Sequence, residues 1–230
     1  MIKSCLINNV EHIIAIATAC FLAIGCSTNN AALGPIKPIF IIDNLQELSA
    51  SINRPFIGFP TPNNYSICHG HTCSRTAYIH LSSSQWSTIE ALFSPPAVTA
   101  MQERKQIILA IALLETMTGK QSGTDKDRAK NYVANGVNGQ LDCIDEATNT
   151  TVYLRMLSEA NLLLYHQQAS RTSRGGLFSP HNTATIIDIK SQTRYAVDSW
   201  FDNNGEPPVI IPLALWKSGW KPDWKFETNK

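Results

Sequence analysis

Apolar residues recur at helical spacing in two long stretches of the chain. In residues 98–119 they form a broad apolar face, which is typical of a core helix, and Gly119 is expected to end this helix. The second stretch begins at Cys143, directly after polar and glycine-bearing turn residues, and runs toward His166. It predicts a long helix with a cysteine in its first turn and His166 at its C-terminal end.

Two β-rich runs, residues 177–189 and 194–201, flank a short polar turn. This arrangement predicts an antiparallel hairpin. His181 lies where the first strand begins, and Asp198 lies near the end of the second. Because these ends are adjacent in an antiparallel pair, we expect His181 and Asp198 to lie close together.

Shorter segments complete the pattern. Residues 76–81 alternate as a strand does, residues 171–176 predict a flexible turn, and residues 209–213 are extended. Three C-terminal tryptophans are expected to wrap loosely over the sheet or, as an alternative, to bind a partner, glycan or peptide. They are Trp216, Trp220 and Trp224. Together the elements predict an α+β fold in which helices pack on an antiparallel β-sheet.

The N-terminal region has the features of an export signal. Residues 13–25 are apolar or small and too few to cross a bilayer, but they match the core of a signal peptide. Residues 22–26 (LAIGC) resemble a bacterial lipobox, and Ser27 resembles the sorting preference of outer-membrane lipoproteins. We expect residues 1–25 to be a lipoprotein signal peptide and Cys26 to carry the lipid, with the protein facing the periplasm from the outer membrane. The alternative is a plain N-terminal membrane anchor.

The rest of the chain is expected to form one anchored domain. Residues 26–38 predict a lipid-anchored tether, and residues 39–230 predict a single domain long enough to bury a sizeable core. The 19 Lys and Arg nearly balance the 18 Asp and Glu, and they form no cationic cluster in the sequence. This balance argues against nucleic acid as a partner. We expect no cofactor.

The cysteine count indicates one disulfide and one free thiol. Three of the six cysteines remain after signal cleavage and lipidation, and an oxidising periplasm favours pairing two of them. Cys68 and Cys73 are neighbours in sequence, so we predict that they are bonded and that Cys143 is free. The alternative is a metal site in which both cysteines act as ligands together with His69 and His71, although structural zinc sites draw their ligands from two separated segments.

A cysteine at a helix start, followed by a histidine and an aspartate on paired strands, forms a Cys-His-Asp arrangement. The helix dipole and unpaired backbone N–H groups there favour a thiolate. His181 would accept the proton of Cys143, and Asp198 would orient the imidazole ring. The backbone N–H of Cys143 would bind the oxyanion, and Gln140 and Asp142 are candidates for the neighbouring polar role.

These residues and their order resemble the transglutaminase-like branch of the papain-type cysteine proteinases. The resemblance is carried by residues 140–146 (QLDCIDE) and 197–200 (VDSW), and it covers roughly residues 100–201. The chain is also similar to a group of proteobacterial lipoproteins that share the CHG-x-x-C, DCIDE and VDSW segments. The resemblance implies a papain-like core in which the cysteine helix packs against an antiparallel sheet that carries the histidine and the aspartate.

The sequence therefore predicts a lipid-anchored cysteine hydrolase or acyl transferase of the cell envelope. It would be of the peptidase or amidase type and act on a peptide or another amide-bearing substrate through Cys143, His181 and Asp198. The rival hypothesis is a non-catalytic envelope lipoprotein that keeps the fold for binding or assembly.

Overall fold

The structure, a computed structural model, describes residues 56–131, 138–176 and 180–223. The predicted signal peptide, Cys26, the tether and Trp224 lie outside these residues. None of the helices described in these ranges is long and apolar enough to span a bilayer.

Helices and antiparallel strands alternate in blocks along the chain, which confirms the predicted α+β class. The helices are α1 (Ser83–Ala91), α2 (Ala100–Ser122), α3 (Cys143–Glu159) and α4 (Leu213–Lys217). The strands are β1 (Tyr65–His69), β2 (Arg75–Ile79), β3 (His166–Arg174), β4 (His181–Asp188), β5 (Arg194–Asp198) and β6 (Val209–Pro212). Strands β1 and β2 form a separate antiparallel pair, while β3, β4, β5 and β6 form an antiparallel sheet in that order.

Helix α2 begins after Thr99, whose side chain accepts a backbone N–H of the first turn. We predicted that it ends at Gly119, but this was wrong, because it continues through Ser122. Gly123 ends it with a φ of 77°, a left-handed conformation that glycine adopts without steric cost. Gly119 is required for close packing instead, since a Cβ there would lie 2.8 Å from the side chain of Asn204.

Helix α3 is surrounded by the rest of the protein. It contacts β1, β3, β4 and β5 as well as α2, and every residue from Asp145 to Leu157 is buried. Two buried threonines satisfy their hydroxyls within the helix, since Thr148 and Thr151 donate to carbonyl oxygens one turn earlier. A helix buried on all sides belongs to the core, so its first residue is positioned by nearly the whole domain.

One hydrophobic core joins the two sheets and the helices. Its fully buried side chains include Tyr65, Ile67, Ile89, Ile107, Ile111, Leu114, Val152, Leu154, Leu157, Ile186 and Val197. Burying each large apolar side chain stabilises the fold by about 2 kcal/mol. The core thus fixes α3 against the strands that carry the histidine and the aspartate.

The predicted hairpin is confirmed as β4 and β5, in which Ala184 pairs with Val197. Two neighbouring expectations were wrong. Residues 171–176 do not form a flexible turn, because β3 continues through Arg174 and pairs with β4. His166 does not end a helix but begins β3, where its Nδ1 lies 2.9 Å from the buried carboxylate of Glu103 on α2. This contact ties the sheet to α2.

Candidate active site

Cys143 is the first residue of α3, directly after the N-cap residue Asp142. The Asp142 carboxylate accepts the backbone N–H groups of Ile144 at 3.0 Å and Asp145 at 2.9 Å, and the Asp145 carboxylate accepts the N–H of Asp142. This capping box defines the helix start. Within the described residues the backbone N–H of Cys143 makes no hydrogen bond, and its side chain is partly exposed.

The β-sheet brings His181 and Asp198 together. His181 is the first residue of β4 and Asp198 is the last residue of β5, as expected for adjacent ends of a hairpin. His181 Nε2 lies 2.7 Å from Asp198 Oδ2, and both side chains are buried. A second donor, the indole Nε1 of Trp216, lies 2.7 Å from the same carboxylate oxygen.

The partners of the His181 ring define its tautomer. Because Nε2 faces a carboxylate, it carries a hydrogen, and Nδ1 is the nitrogen that accepts a proton. Nδ1 is buried and makes no hydrogen bond of regular geometry among the described residues, but the Cys143 thiol is close enough to affect the charge of the ring. Burial lowers the pKa of His181, but the interactions with Asp198 and Cys143 outweigh it and raise the pKa to about 9.

The Cys143 sulfur has two polar neighbours from the start of β4. The amide Nδ2 of Asn182 lies 3.6 Å from Sγ, and the carbonyl oxygen of Pro180 lies 3.9 Å from it. Asn182 was not predicted from the sequence, and the feature that could have indicated it is its position directly after His181. Its amide places a hydrogen-bond donor at the thiol.

Aromatic rings enclose the imidazole of His181. The ring centroids of Trp200, Trp216 and Phe201 lie 4.7, 5.4 and 5.5 Å from that of His181. Trp216 is fully buried in α4. Trp216 therefore covers the sheet as expected, since it contacts His181 on β4 and Asp198 on β5, but the expected loose wrap was wrong because the ring is fully buried. Excluding water in this way strengthens the charge interactions of the His181–Asp198 pair.

The predicted disulfide between Cys68 and Cys73 is confirmed, and its loop supports the start of α3. The backbone N–H groups of His71 and Cys73 donate to the Asp145 carboxylate at 2.9 and 2.7 Å. The Asn149 side chain pairs with both backbone groups of Cys68, accepting its N–H at 2.7 Å and donating to its C=O at 2.9 Å. The cysteine-rich loop therefore acts as a brace for the helix that carries Cys143.

The alternative metal site is not formed in this structure, because the sulfurs of Cys68 and Cys73 are bonded to each other. Among the described residues, the one group of three candidate ligands within 4.8 Å combines these sulfurs with Asp145. His71 Nδ1 instead lies 2.7 Å from the Thr72 hydroxyl, and His69 is the last residue of β1.

The two secondary oxyanion candidates have other partners. The Gln140 side chain accepts the Asn131 amide at 2.8 Å and donates to the Lys126 carbonyl at 2.9 Å. The Asp142 carboxylate caps α3 and also accepts the Thr72 N–H at 2.9 Å. The structure gives both residues roles in shaping the loop before Cys143, whereas the Asn182 amide lies 3.6 Å from the sulfur.

A cluster of buried carboxyl groups lies behind the start of α3. Burial raises the pKa of Glu115 to about 7. Hydrogen bonds with Ser199 and Gly205 partly oppose this shift, and the charge of Asp127 adds to it. Burial also raises the pKa of Asp127 to about 6. Glu146 is buried, and burial and the charges of Glu115 and Asp127 raise its pKa well above the usual range. Within this cluster Glu146 therefore retains its proton at neutral pH.

Comparisons with known protein families, with curated proteins and with solved structures find no match for this chain.

Proposed function

We propose that this protein is a cysteine hydrolase or acyl transferase that acts on amide bonds, with Cys143 as nucleophile, His181 as base and Asp198 as orienting residue. One observation carries the proposal. His181 donates to Asp198 over 2.7 Å through Nε2, which leaves its basic Nδ1 for a thiol at the first position of a helix.

The geometry suits a complete acyl-transfer cycle. His181 Nδ1 takes the thiol proton, and the Cys143 sulfur attacks the amide carbonyl carbon, so that an S–C bond forms and the carbonyl electron pair moves to oxygen. The Cys143 N–H and the Asn182 amide are the donors available to that oxygen. The C–N bond then breaks, and His181 returns the proton to the leaving amine. Water or a second amine then attacks the thioester carbonyl carbon while His181 takes its proton. A C–O or C–N bond forms, the S–C bond breaks, and the acid or new amide leaves as the Cys143 thiolate is regenerated beside the His181 imidazolium.

The resemblance to the transglutaminase-like branch of the papain-type fold supports the same proposal. Helix α3 carries the cysteine and packs against an antiparallel sheet whose strands β4 and β5 carry the histidine and the aspartate. Fold analogy alone does not specify an activity. The proposal therefore rests on the His181–Asp198 contact and its position next to Cys143.

The rate at which iodoacetamide alkylates Cys143 tests the proposal. A free thiol is only a few per cent ionised at pH 7, so a cysteine that passes its proton to His181 should react about tenfold faster. Peptide mapping by mass spectrometry follows Cys143 in the full chain. We expect His181→Gln to reduce the rate to that of a free thiol. His80→Gln is the matched control, because His80 is an exposed histidine.

The result that would overturn the proposal is a Cys143 that reacts like a free thiol and is insensitive to His181→Gln. That outcome favours a non-catalytic envelope lipoprotein. We also propose that the domain is anchored to the outer membrane through lipidated Cys26 and faces the periplasm. The support for this location is the sequence of residues 13–27.

A further inference from the structure

A cavity of about 330 Å³ opens beside His181. The rings of Trp200 and Phe201 form part of its wall. Four cationic side chains from three segments also line it, and among the described residues no acidic side chain does. They are Lys130, Arg174, Lys217 and Lys221.

This concentration of positive charge is local. The whole chain has 19 Lys and Arg against 18 Asp and Glu, so an average surface would show both signs in nearly equal number. The cations come from three parts of the sequence, at residue 130, at residue 174 and at residues 217–221, which is why no cluster is visible in the sequence. Folding alone brings them to one pocket.

Contacts with neighbouring groups hold two of the cations in place. The Arg174 guanidinium lies 4.3 Å from the Trp216 ring centre and donates to the Trp220 carbonyl at 2.8 Å. The Lys217 ammonium donates to the Thr172 hydroxyl at 2.9 Å. These contacts fix the positions of the two side chains at the pocket.

We propose that this pocket binds a carboxylate-bearing peptide segment adjacent to the amide bond that Cys143 attacks. The inference rests on the proposed function and adds a substrate class to it. The aromatic wall would contact the apolar part of the segment, while the cations attract its carboxylate. A cavity of about 330 Å³ is at the small end of ligand sites, so it has room for a short part of a chain.

Competing alkylation by two reagents that differ in charge tests the pocket. In both reactions the thiolate displaces iodide, so an S–C bond forms and the C–I bond breaks. Iodoacetate carries a carboxylate, whereas iodoacetamide is neutral. The ratio of their rates at Cys143, divided by the same ratio for 2-mercaptoethanol, isolates the effect of the protein. We expect a preference for iodoacetate of about fivefold, which shrinks in 1 M salt because salt screens the charges.

Matched double variants separate the pocket from the net charge of the protein. Lys130→Gln with Lys221→Gln removes two charges from the pocket and should reduce the preference at least about threefold. Lys105→Gln with Lys190→Gln removes two exposed charges elsewhere and should leave it unchanged. If the preference for iodoacetate is unchanged in Lys130→Gln with Lys221→Gln, it comes from the His181 imidazolium instead, and the proposal is overturned.

A protection experiment identifies the source of the carboxylate. Acetylated tetrapeptides with glutamate side chains and an amidated end are compared with neutral tetrapeptides that have either a free or an amidated end. We expect the glutamate or free-end peptides, but not the fully neutral one, to slow alkylation of Cys143 by iodoacetamide. Protection by the glutamate peptide means that the pocket binds acidic side chains. Protection by the free-end peptide means that it binds the carboxylate of a chain terminus. Equal protection by all three overturns the proposal.

The two proposals fail in different ways. If iodoacetamide alkylates Cys143 fast but iodoacetate is not preferred, the proposed function is supported and the proposed substrate class is refuted. If both reagents alkylate Cys143 only at the rate of a free thiol, the proposed function itself is refuted.

Discussion

Replacing Glu146 by glutamine should stabilise the protein above neutral pH. Glu146 is buried in α3, and the charges of Glu115, Asp127 and Asp145 add to the effect of burial on its pKa. Its protonated carboxyl donates a hydrogen bond to Asp127. A glutamine amide keeps the shape and can donate the same bond, but it has no charge to bury.

The sign of the pH effect follows from the raised pKa values. Burial raises the pKa of Glu115 from 4.5 to about 7 and that of Asp145, also affected by the charge of Asp142, from 3.8 to about 7. The folded state therefore holds protons that the unfolded chain releases. The resulting stabilisation is fully present below about pH 4 and is lost as the pH rises through about 7.

The size of the effect can be worked from Glu115. Its pKa shift from 4.5 to about 7 corresponds to about 3 kcal/mol, since one pKa unit is about 1.4 kcal/mol. The shifts of the cluster are not summed, because removing one charge relieves its neighbours. We expect the free energy of unfolding of Glu146→Gln to exceed that of the wild type by about 2 kcal/mol at pH 8 and by less than about 1 kcal/mol at pH 5.

Urea unfolding at pH 5, 6, 7 and 8 measures this difference. The control is Glu90→Gln, because Glu90 is exposed and its hydrogen bond from Trp86 can also be accepted by glutamine. Because the pKa of His181 is raised to about 9, the free energy of unfolding also declines above neutral pH for this reason. This decline is the same in the wild type, Glu146→Gln and Glu90→Gln. A wild type whose stability does not fall between pH 5 and pH 8, or a Glu146→Gln variant that follows the wild type, would refute the reasoning.

Two further predictions concern the supports of the site. Trp216→Phe keeps a ring but removes the indole N–H that donates to Asp198. Because this bond holds the carboxylate that orients His181, we expect alkylation of Cys143 by iodoacetamide to slow several-fold, at most to the rate of a free thiol, and an unchanged rate would contradict this. Replacing both Cys68 and Cys73 by serine opens a loop with a sequence separation of 5 and should lower the free energy of unfolding by about 2 kcal/mol in urea titrations. Equal unfolding midpoints with and without the disulfide would contradict the second prediction.

Sequence reasoning worked where the controlling interactions are local. The start of α3 is encoded by the capping box of Asp142 and Asp145, which are three residues apart. The contact between His181 and Asp198 follows from one hairpin, since a short polar turn between β-rich runs fixes which strand ends meet. The disulfide joins neighbouring cysteines of one loop.

Boundaries were less well predicted because tertiary contacts override local signals. Gly119 resembles a helix terminus in the sequence, yet its missing side chain makes room for Asn204, and the helix continues to Ser122. His166 carries no local mark of a strand, and its place in β3 is supported by the Glu103 carboxylate on another helix.

By itself, the sequence determined the α+β class, the helix that begins at Cys143 and the adjacency of His181 and Asp198, because each depends on short-range pattern and pairing. Only the tertiary structure decided what surrounds them. Trp216 reaches Asp198 through β6 and α4, and Asn182 meets Cys143 because α3 packs against β4. The cationic pocket likewise collects charges from separate segments. Such contacts depend on how the hydrophobic core packs the elements together, which no local spacing encodes.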